Sequence, residues 1–251
     1  MIPVRTVLQS KNRYYTGPKS DHFDGKLFFN PDGMNPPGFR EVIKWQINNK
    51  KSLWPKTVEC AFTPAKPDER VTGDAMRVTM IGHATLLIQV AGINILTDPI
   101  YTERASPFEV AGPKRVCAPG IPFDDLPPID VVLVTHNHYD HLSLPTLARL
   151  HEAHKPRIVT PLGNDTIIRS KVREADITVL DWGAQAPLPG GLRVFAEPCH
   201  HWSARGVADR RMALWAAFVI ETPAGLIYHI GDTGFHEGRN YEAAAKKYGG
   251  F

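Results

Sequence analysis

THNHYDH, residues 135–141, decides the reading of this chain. It follows VVLVT (131–135), a continuous apolar run of the kind carried by a strand buried on both faces. Where such a strand runs into a loop, alternate side chains can be aimed at one point. His136 and His138 are then placed to bind one metal ion, with Asp140 and His141 facing a second ion beside it. Neutral imidazole and carboxylate are suitable zinc ligands. Two ions about 3.5–4 Å apart can hold one water or hydroxide and clamp a hydrolytic transition state. Three His and one Asp at the C-terminal end of a buried strand rarely have a packing reason to be there.

Two later segments offer what a dinuclear centre needs. PCHHW (198–202) follows the strand-like LRVFA (192–196) and brings His200 and His201. GDTG (231–234) follows GLIYHI (225–230) and brings Asp232, flanked by glycines that let the backbone turn sharply. A carboxylate in that turn can bridge both metals.

The surrounding pattern is one of short strands. RVTMI (77–81), TLLIQV (85–90) and INILT (93–97) form an antiparallel opening, with Ala91–Gly92 turning the last two. RIVT (157–160), ITVL (177–180), LRVFA, MALWAAFVI (212–220) and GLIYHI are further strands. A helix follows the metal loop, with Ser143 as N-cap and Pro145 in the first turn. A second, short helix is expected over 165–174. The sum is a mixed α/β (α+β) sheet system with helices outside. Residues 1–70 are rich in Pro, Gly, Lys and Asn and are expected as an irregular extension packed on the domain formed by 71–251. Within them only EVIKWQINNKKSLW (41–54) predicts a helix.

Composition narrows the class further. The chain has 251 residues, 43% hydrophobic and 22% charged, which excludes disorder and allows a sizeable core. A net charge of +3 is too weak an excess for a dedicated nucleic-acid binder, so no nucleic-acid partner is expected. Cys60, Cys117 and Cys199 lie far apart without a CxxC pair, which excludes a disulfide scaffold and a Cys-rich zinc module. They are expected as thiols in a reducing compartment. No apolar run approaches the roughly 20 residues that span a bilayer, and the first residues lack a signal-peptide core. A cytoplasmic protein is expected.

These motifs carry a resemblance. HxHxDH, a later His and a later Asp after a strand resemble the metallo-β-lactamase fold superfamily. VTMIGHATLLIQ (78–89), LTDPIYTERASPFEVAGPKR (96–115), LPPIDVVLVTHNHYDHL (126–142), the Trp after His201 and GDTGF (231–235) are similar to one branch of it. That branch contains the N-acylphosphatidylethanolamine-hydrolysing phospholipase D enzymes and their bacterial relatives. HFDGKLFFNP (22–31) also resembles its N-terminal approach.

The resemblance implies an αββα sandwich and a zinc-dependent phosphodiesterase in which a metal-bridging hydroxide attacks a phospholipid. It implies that His136, His138 and His201 hold one zinc, that Asp140 and His141 hold the other, and that Asp232 bridges. It selects His201 over His200, and it gives Asp140 and Asp232 the orientation of the nucleophile. Asp98 in LTDP is implied as the orienter of a ligand His, with His83 near the same edge. Peripheral membrane contact and homo-oligomerisation are compatible with it. Trp45, Trp54, Tyr101 and Phe108 are candidates to line a lipid groove. Hydrolysis of a small soluble lactone or phosphate ester is the alternative, as is an inactive metal-binding protein. The family draws a last His ligand for the second zinc from a segment after GDTG, whereas this chain ends at KKYGGF (246–251). An incomplete sandwich with a weak second site is therefore expected, and His229 and His236 are the nearby candidates to substitute.

Overall fold

The hairpin at Ala91–Gly92 starts the first sheet. Both residues adopt positive φ (51° and 74°), as a two-residue hairpin turn requires. It joins β2 (Thr85–Val90) to β3 (Ile93–Thr97), and β1 (Met76–Gly82) pairs antiparallel on the outer side of β2. From β3 the sheet continues in parallel through β4 (Val131–Leu133), β5 (Arg157–Pro161) and β6 (Ile177–Leu180). The order is β1-β2-β3-β4-β5-β6. A second, antiparallel sheet is built from β7 (Gln185–Pro187), β8 (Arg193–Glu197), β9 (Ala217–Thr222) and β10 (Gly225–His229), in the order β10-β9-β8-β7. The computed structural model describes residues 11–33, 38–49, 55–59, 66–108 and 110–251.

Side-chain alternation explains the layers. Val131 and Leu133 of β4, with Ile88, Val90, Ile95 and Val159, point between the sheets and meet Val194, Ala196, Phe218 and Ile220. Leu87, Leu96, Val132 and Ile158 point the other way. They pack under α2 (Leu144–His154), through Leu147 and Leu150, and under α3 (Asn164–Arg169), through Ile167 and Ile168. Ser143 caps α2, its Oγ accepting from the Thr146 N–H. On the far side α4 (Arg239–Tyr248) lies against the second sheet. The Tyr248 and Phe195 rings are 5.5 Å apart, and Lys247 Nζ donates to Glu197 at 2.6 Å. The architecture is an αββα sandwich. No helix among the described residues is long and apolar enough to cross a membrane.

Phe23 and Phe28 of the N-terminal segment are buried with Leu214, Trp215 and Ala217, and the Phe28 N–H donates to Arg211 O at 2.8 Å. A further helix, α1, covers Phe39–Asn48, while 50–54 of the expected helix lie outside the described residues.

Three expectations need correction. The apolar run 212–220 is strand only from Ala217. Its first half instead bonds to loops, Leu214 N–H to Leu162 O and Ala216 N–H to Thr135 O, and apolarity there serves burial rather than a ladder. The helix expected over 165–174 ends at Arg169. Of the cysteines, Cys199 is a buried thiol but Cys117 is disulfide-bonded, and Cys60 lies outside the described residues.

The topology decides where function can sit. β3 and β4 run parallel, and so do β8 and β10, separated by the antiparallel β9. The segments leaving these four strands are 98–100, 134–141, 198–202 and 230–234. In open α/β sheets that carboxyl end is where ligands bind.

Candidate metal centre

His136 Nε2, His138 Nδ1 and His201 Nε2 converge at 2.9, 3.2 and 3.2 Å from one another. Their rings cross at 80–90°, so three in-plane lone pairs point into one small volume. Asp232 presents one oxygen to each side of the centre. Its Oδ2 lies 3.7 Å from His201 Nε2, and its Oδ1 lies 3.3 Å from His141 Nε2. Asp140 Oδ2 lies 3.9 Å from the same His141 nitrogen. The structure thus gathers His136, His138, Asp140, His141, His201 and Asp232 at one place.

The donor set fits a pair of divalent cations. Nitrogen and carboxylate oxygen are zinc ligands in type, with His136, His138, His201 and Asp232 grouped on one side and Asp140 and Asp232 beside His141 on the other. His141 Nε2 is buried with the carboxylate oxygens of Asp232 at 3.3 Å and Asp140 at 3.9 Å beside it, an arrangement that a cation between them would draw together. Electrostatics prepares the ligands. Burial, together with the neighbouring imidazoles, pushes His136 well below its ordinary range and His201 to about 4. Burial also lowers His138. All three are neutral, with a free lone pair, at pH 7. In Asp140 burial opposes ionisation, but hydrogen bonding to His83 and the nearby His141 bring it to about 2. Asp232 is lowered chiefly by its bond with His141. Burial alone would lower His141, but Asp98 and Asp232 outweigh it and raise the group to about 10.

Asp98 organises the rear of the centre. It is fully buried, and its carboxylate accepts from the Thr135 N–H (2.7 Å), from Thr135 Oγ1 (2.7 Å) and from His141 Nδ1 (2.8 Å). Burial would raise its pKa, but His141 and His229 hold it well below the usual carboxylate range. This fixes the His141 ring with Nε2 facing the centre, the usual second partner of a metal-bound imidazole. Asp98 does so at φ +35°, a conformation non-glycine residues rarely adopt, and such strain concentrates at functional sites.

The loops lock to one another. His200 N–H donates to Thr233 Oγ1 (2.9 Å) and Gly234 N–H to His200 O (2.8 Å), which ties the His201 loop to the Asp232 loop. Gly231 is at φ +65°, and a Cβ there would meet Thr135 Cγ2 at 2.8 Å. Residues that sequence reasoning missed complete the frame. Arg205 Nη1 donates to Asn137 O (3.0 Å) and Leu142 O (2.8 Å), and its guanidinium lies 3.9 Å over the Tyr139 ring. Nothing local to Arg205 signals this, because its partners are more than 60 positions away. Trp202 packs edge-on against His138, centroids 4.6 Å apart.

The remaining candidates lie elsewhere. His200 stacks nearly parallel on His236 (4.3 Å, 16°), and with Asp32 the two form a separate group whose donor atoms lie within 4.8 Å of one another. His229 Nε2 lies 3.7 Å from Asp98, behind the centre. Neither His229 nor His236 has a donor atom grouped with those of Asp140 and His141. His83 Nε2 lies 3.0 Å from Asp140 Oδ2. Tyr101 is packed on Phe123 in the helix-side core and Phe108 is on the surface, so neither lines a groove at the centre. The Trp45 side chain and Trp54 lie outside the described residues.

The model of the β-lactamase superfamily domain matches residues 93–251. The chain belongs to the metallo-β-lactamase superfamily. An uncharacterized Mycobacterium tuberculosis protein is 37% identical over 197 residues, covering 77% of this chain and 52% of the relative. The N-acyl-phosphatidylethanolamine-hydrolyzing phospholipase D 1 of Caenorhabditis elegans is 29% identical over 231 residues, covering 84% of this chain and 65% of that enzyme. The chain thus spans about half the length of the mycobacterial relative and under two thirds of the nematode enzyme. Among solved structures, an isothiocyanate hydrolase from Delia radicum gut bacteria aligns with TM-score 0.50 and 26% identity, over 68% of this chain and 67% of the other.

Proposed function

We propose that this chain is a metal-dependent, zinc-using hydrolase of phosphodiesters, acting on an N-acylphosphatidylethanolamine-type phospholipid at a membrane surface. One observation carries the lipid reading: a largely apolar groove adjoins the metal centre. The groove has a volume of about 900 Å³, and His83 and Asp140 are among the residues that line it. Val78, Met80, Ile81, Ile100, Val116 and Ala118 line it, with Lys114 and Arg115 on its wall. Met80 is 63% exposed and Val78 50%, apolar surface that an acyl chain would cover. The two cations suit a phosphate. The similarity to the nematode phospholipase supports the same reading.

Bound divalent ions would supply a nucleophilic hydroxide at neutral pH and stabilise charge on the phosphoryl oxygens. The rest is the work of side chains. Asp140 and Asp232 are ionised at neutral pH, so they accept the proton of the attacking water and orient its lone pair toward phosphorus. Asp98 and Thr135 keep the imidazoles aimed. The apolar groove holds the acyl part, and Lys114 and Arg115 attract the anionic headgroup. Water oxygen bonds to phosphorus, the phosphorus–oxygen bond to the N-acylethanolamine breaks, and the leaving oxygen takes a proton from solvent at the open mouth.

The test compares turnover of N-acylphosphatidylethanolamine in mixed micelles with turnover of a soluble phosphodiester and a soluble lactone. The account expects the lipid to be preferred, and Met80→Asp to raise its KM severalfold while leaving the soluble phosphodiester unaffected. Preference for the soluble lactone, or equal sensitivity of both phosphodiesters to Met80→Asp, would reject the lipid assignment.

A further inference from the structure

His83 is the one imidazole at the edge of the centre that has no role in the ligand set above. Its Nε2 lies 3.0 Å from Asp140 Oδ2, and its ring meets the ring of His141 edge-on, with centroids 5.4 Å apart at 68°. A donor atom from each of His83, Asp140 and His141 lies within 4.8 Å of the other two. In the first cluster the rings also cross and the donors stand 2.9–3.2 Å apart, whereas here His83 and Asp140 are 3.0 Å apart and Asp140 and His141 3.9 Å. Ligand atoms bound to one zinc at about 2.0–2.1 Å in a tetrahedron stand roughly 3.3 Å apart, a separation that these two distances bracket.

The backbone points the same way. His83 is at φ +52°, in the tight turn between β1 and β2, where the pairing shifts register between Met80 and Gly82. Gly or Asn is the favoured residue for such a turn. A histidine there is strained, and its half-exposed side chain contributes little packing. What it does gain is a position facing Asp140, on the wall of the groove.

We propose that His83 is a direct ligand of the second ion, completing with Asp140, His141 and the shared Asp232 a site of four protein side chains. This rests on the reading of the centre as dinuclear and extends it. The second ion then sits at the groove end of the centre, against bound substrate, and is held as fully as the first. The expected weakness of the second site is thereby replaced by two comparable sites.

The test is metal counting on the full chain. Chelated protein is titrated with Zn²⁺ by calorimetry and with Co²⁺ by visible absorption, for the wild type, His83→Ala and His83→Gln. Two ions should bind the wild type. In both variants one ion should keep its affinity, and the other should weaken by at least the ten- to hundredfold typical of a lost supporting partner. Adding millimolar imidazole to His83→Ala should restore the second cobalt spectrum, which a purely structural role would not produce. The proposal is overturned if both variants bind two ions as the wild type does, if both ions weaken together, if imidazole rescues nothing, or if the wild type binds one ion. No substrate enters this experiment, so a chain that binds two ions yet leaves phosphodiesters intact would reject the substrate assignment alone.

Discussion

His141 carries a proton that a metal ion must displace. In the metal-free protein Asp98 and Asp232 flank its two nitrogens at 2.8 and 3.3 Å and hold its pKa near 10. Ligation through Nε2 needs the lone pair, so loading must expel that proton. His136, His138 and His201 are already neutral at pH 7.5 and release none. At pH 7.5 metal binding should therefore release about one proton per chain from His141, beside the one given up where bound water becomes hydroxide, and apparent affinity should rise with pH toward about 10. For the metal-free fold the sign is also fixed. The folded pKa lies above the unfolded one, so the ion pair stabilises the protein fully below about pH 6.5 and is lost as pH rises through about 10. Calorimetric titration in buffers of different ionisation enthalpy counts the protons, and a count of zero would contradict this account of Asp98. At this scale the contiguous ligands were legible, because four of them fall within six residues. Thr135 and Arg205 were not, because their partners, the Asp98 carboxylate and the carbonyls of Asn137 and Leu142, are brought to them only by the fold.

The loops that end β4 and β10 touch where Gly231 passes Thr135. Gly231→Ala would place a methyl group 2.8 Å from Thr135 Cγ2 at a φ of +65°, so either Asp232 or the β4 end must shift. The strain should cost roughly 1–3 kcal/mol of stability. Because Asp232 faces both halves of the centre, metal affinity should fall as well. Thermal unfolding with and without zinc measures both, and an unchanged Tm together with unchanged zinc affinity would refute the contact. Strand elements were legible where apolar runs ended in turn residues: β2, β3 and β6 match their predicted ranges. β7 is three residues ending in proline and offers no period to read. α4 was missed because, of its residues, only Ala244 is buried, so no apolar stripe marks it. The 212–216 run shows the opposite failure, since a buried loop can be as apolar as a strand.

At the scale of the molecule, two sheets stacked face to face bring four chain segments to one edge, and the chemistry is an outcome of that convergence. Neither sheet carries the centre alone. The first supplies Asp98 and the 135–141 loop, and the second supplies His201 and Asp232. The groove beside β1 gives this edge an apolar approach. The sandwich and its metal edge were legible in the sequence because the motifs sit directly after strands. The groove was not, since among the described residues its lining comes chiefly from β1 and the 100–120 segment, with neither Tyr101 nor Phe108 in it. The central claim is that this edge holds metal and that hydrolysis depends on it. The most direct measurement is the rate of hydrolysis of a soluble phosphodiester by chelated protein as zinc is added back in known equivalents. The account predicts no turnover without metal, a rise that saturates at two equivalents, and no rise in His136→Ala/His138→Ala. Turnover by the metal-free chain, or a rise undiminished in that double variant, would contradict it.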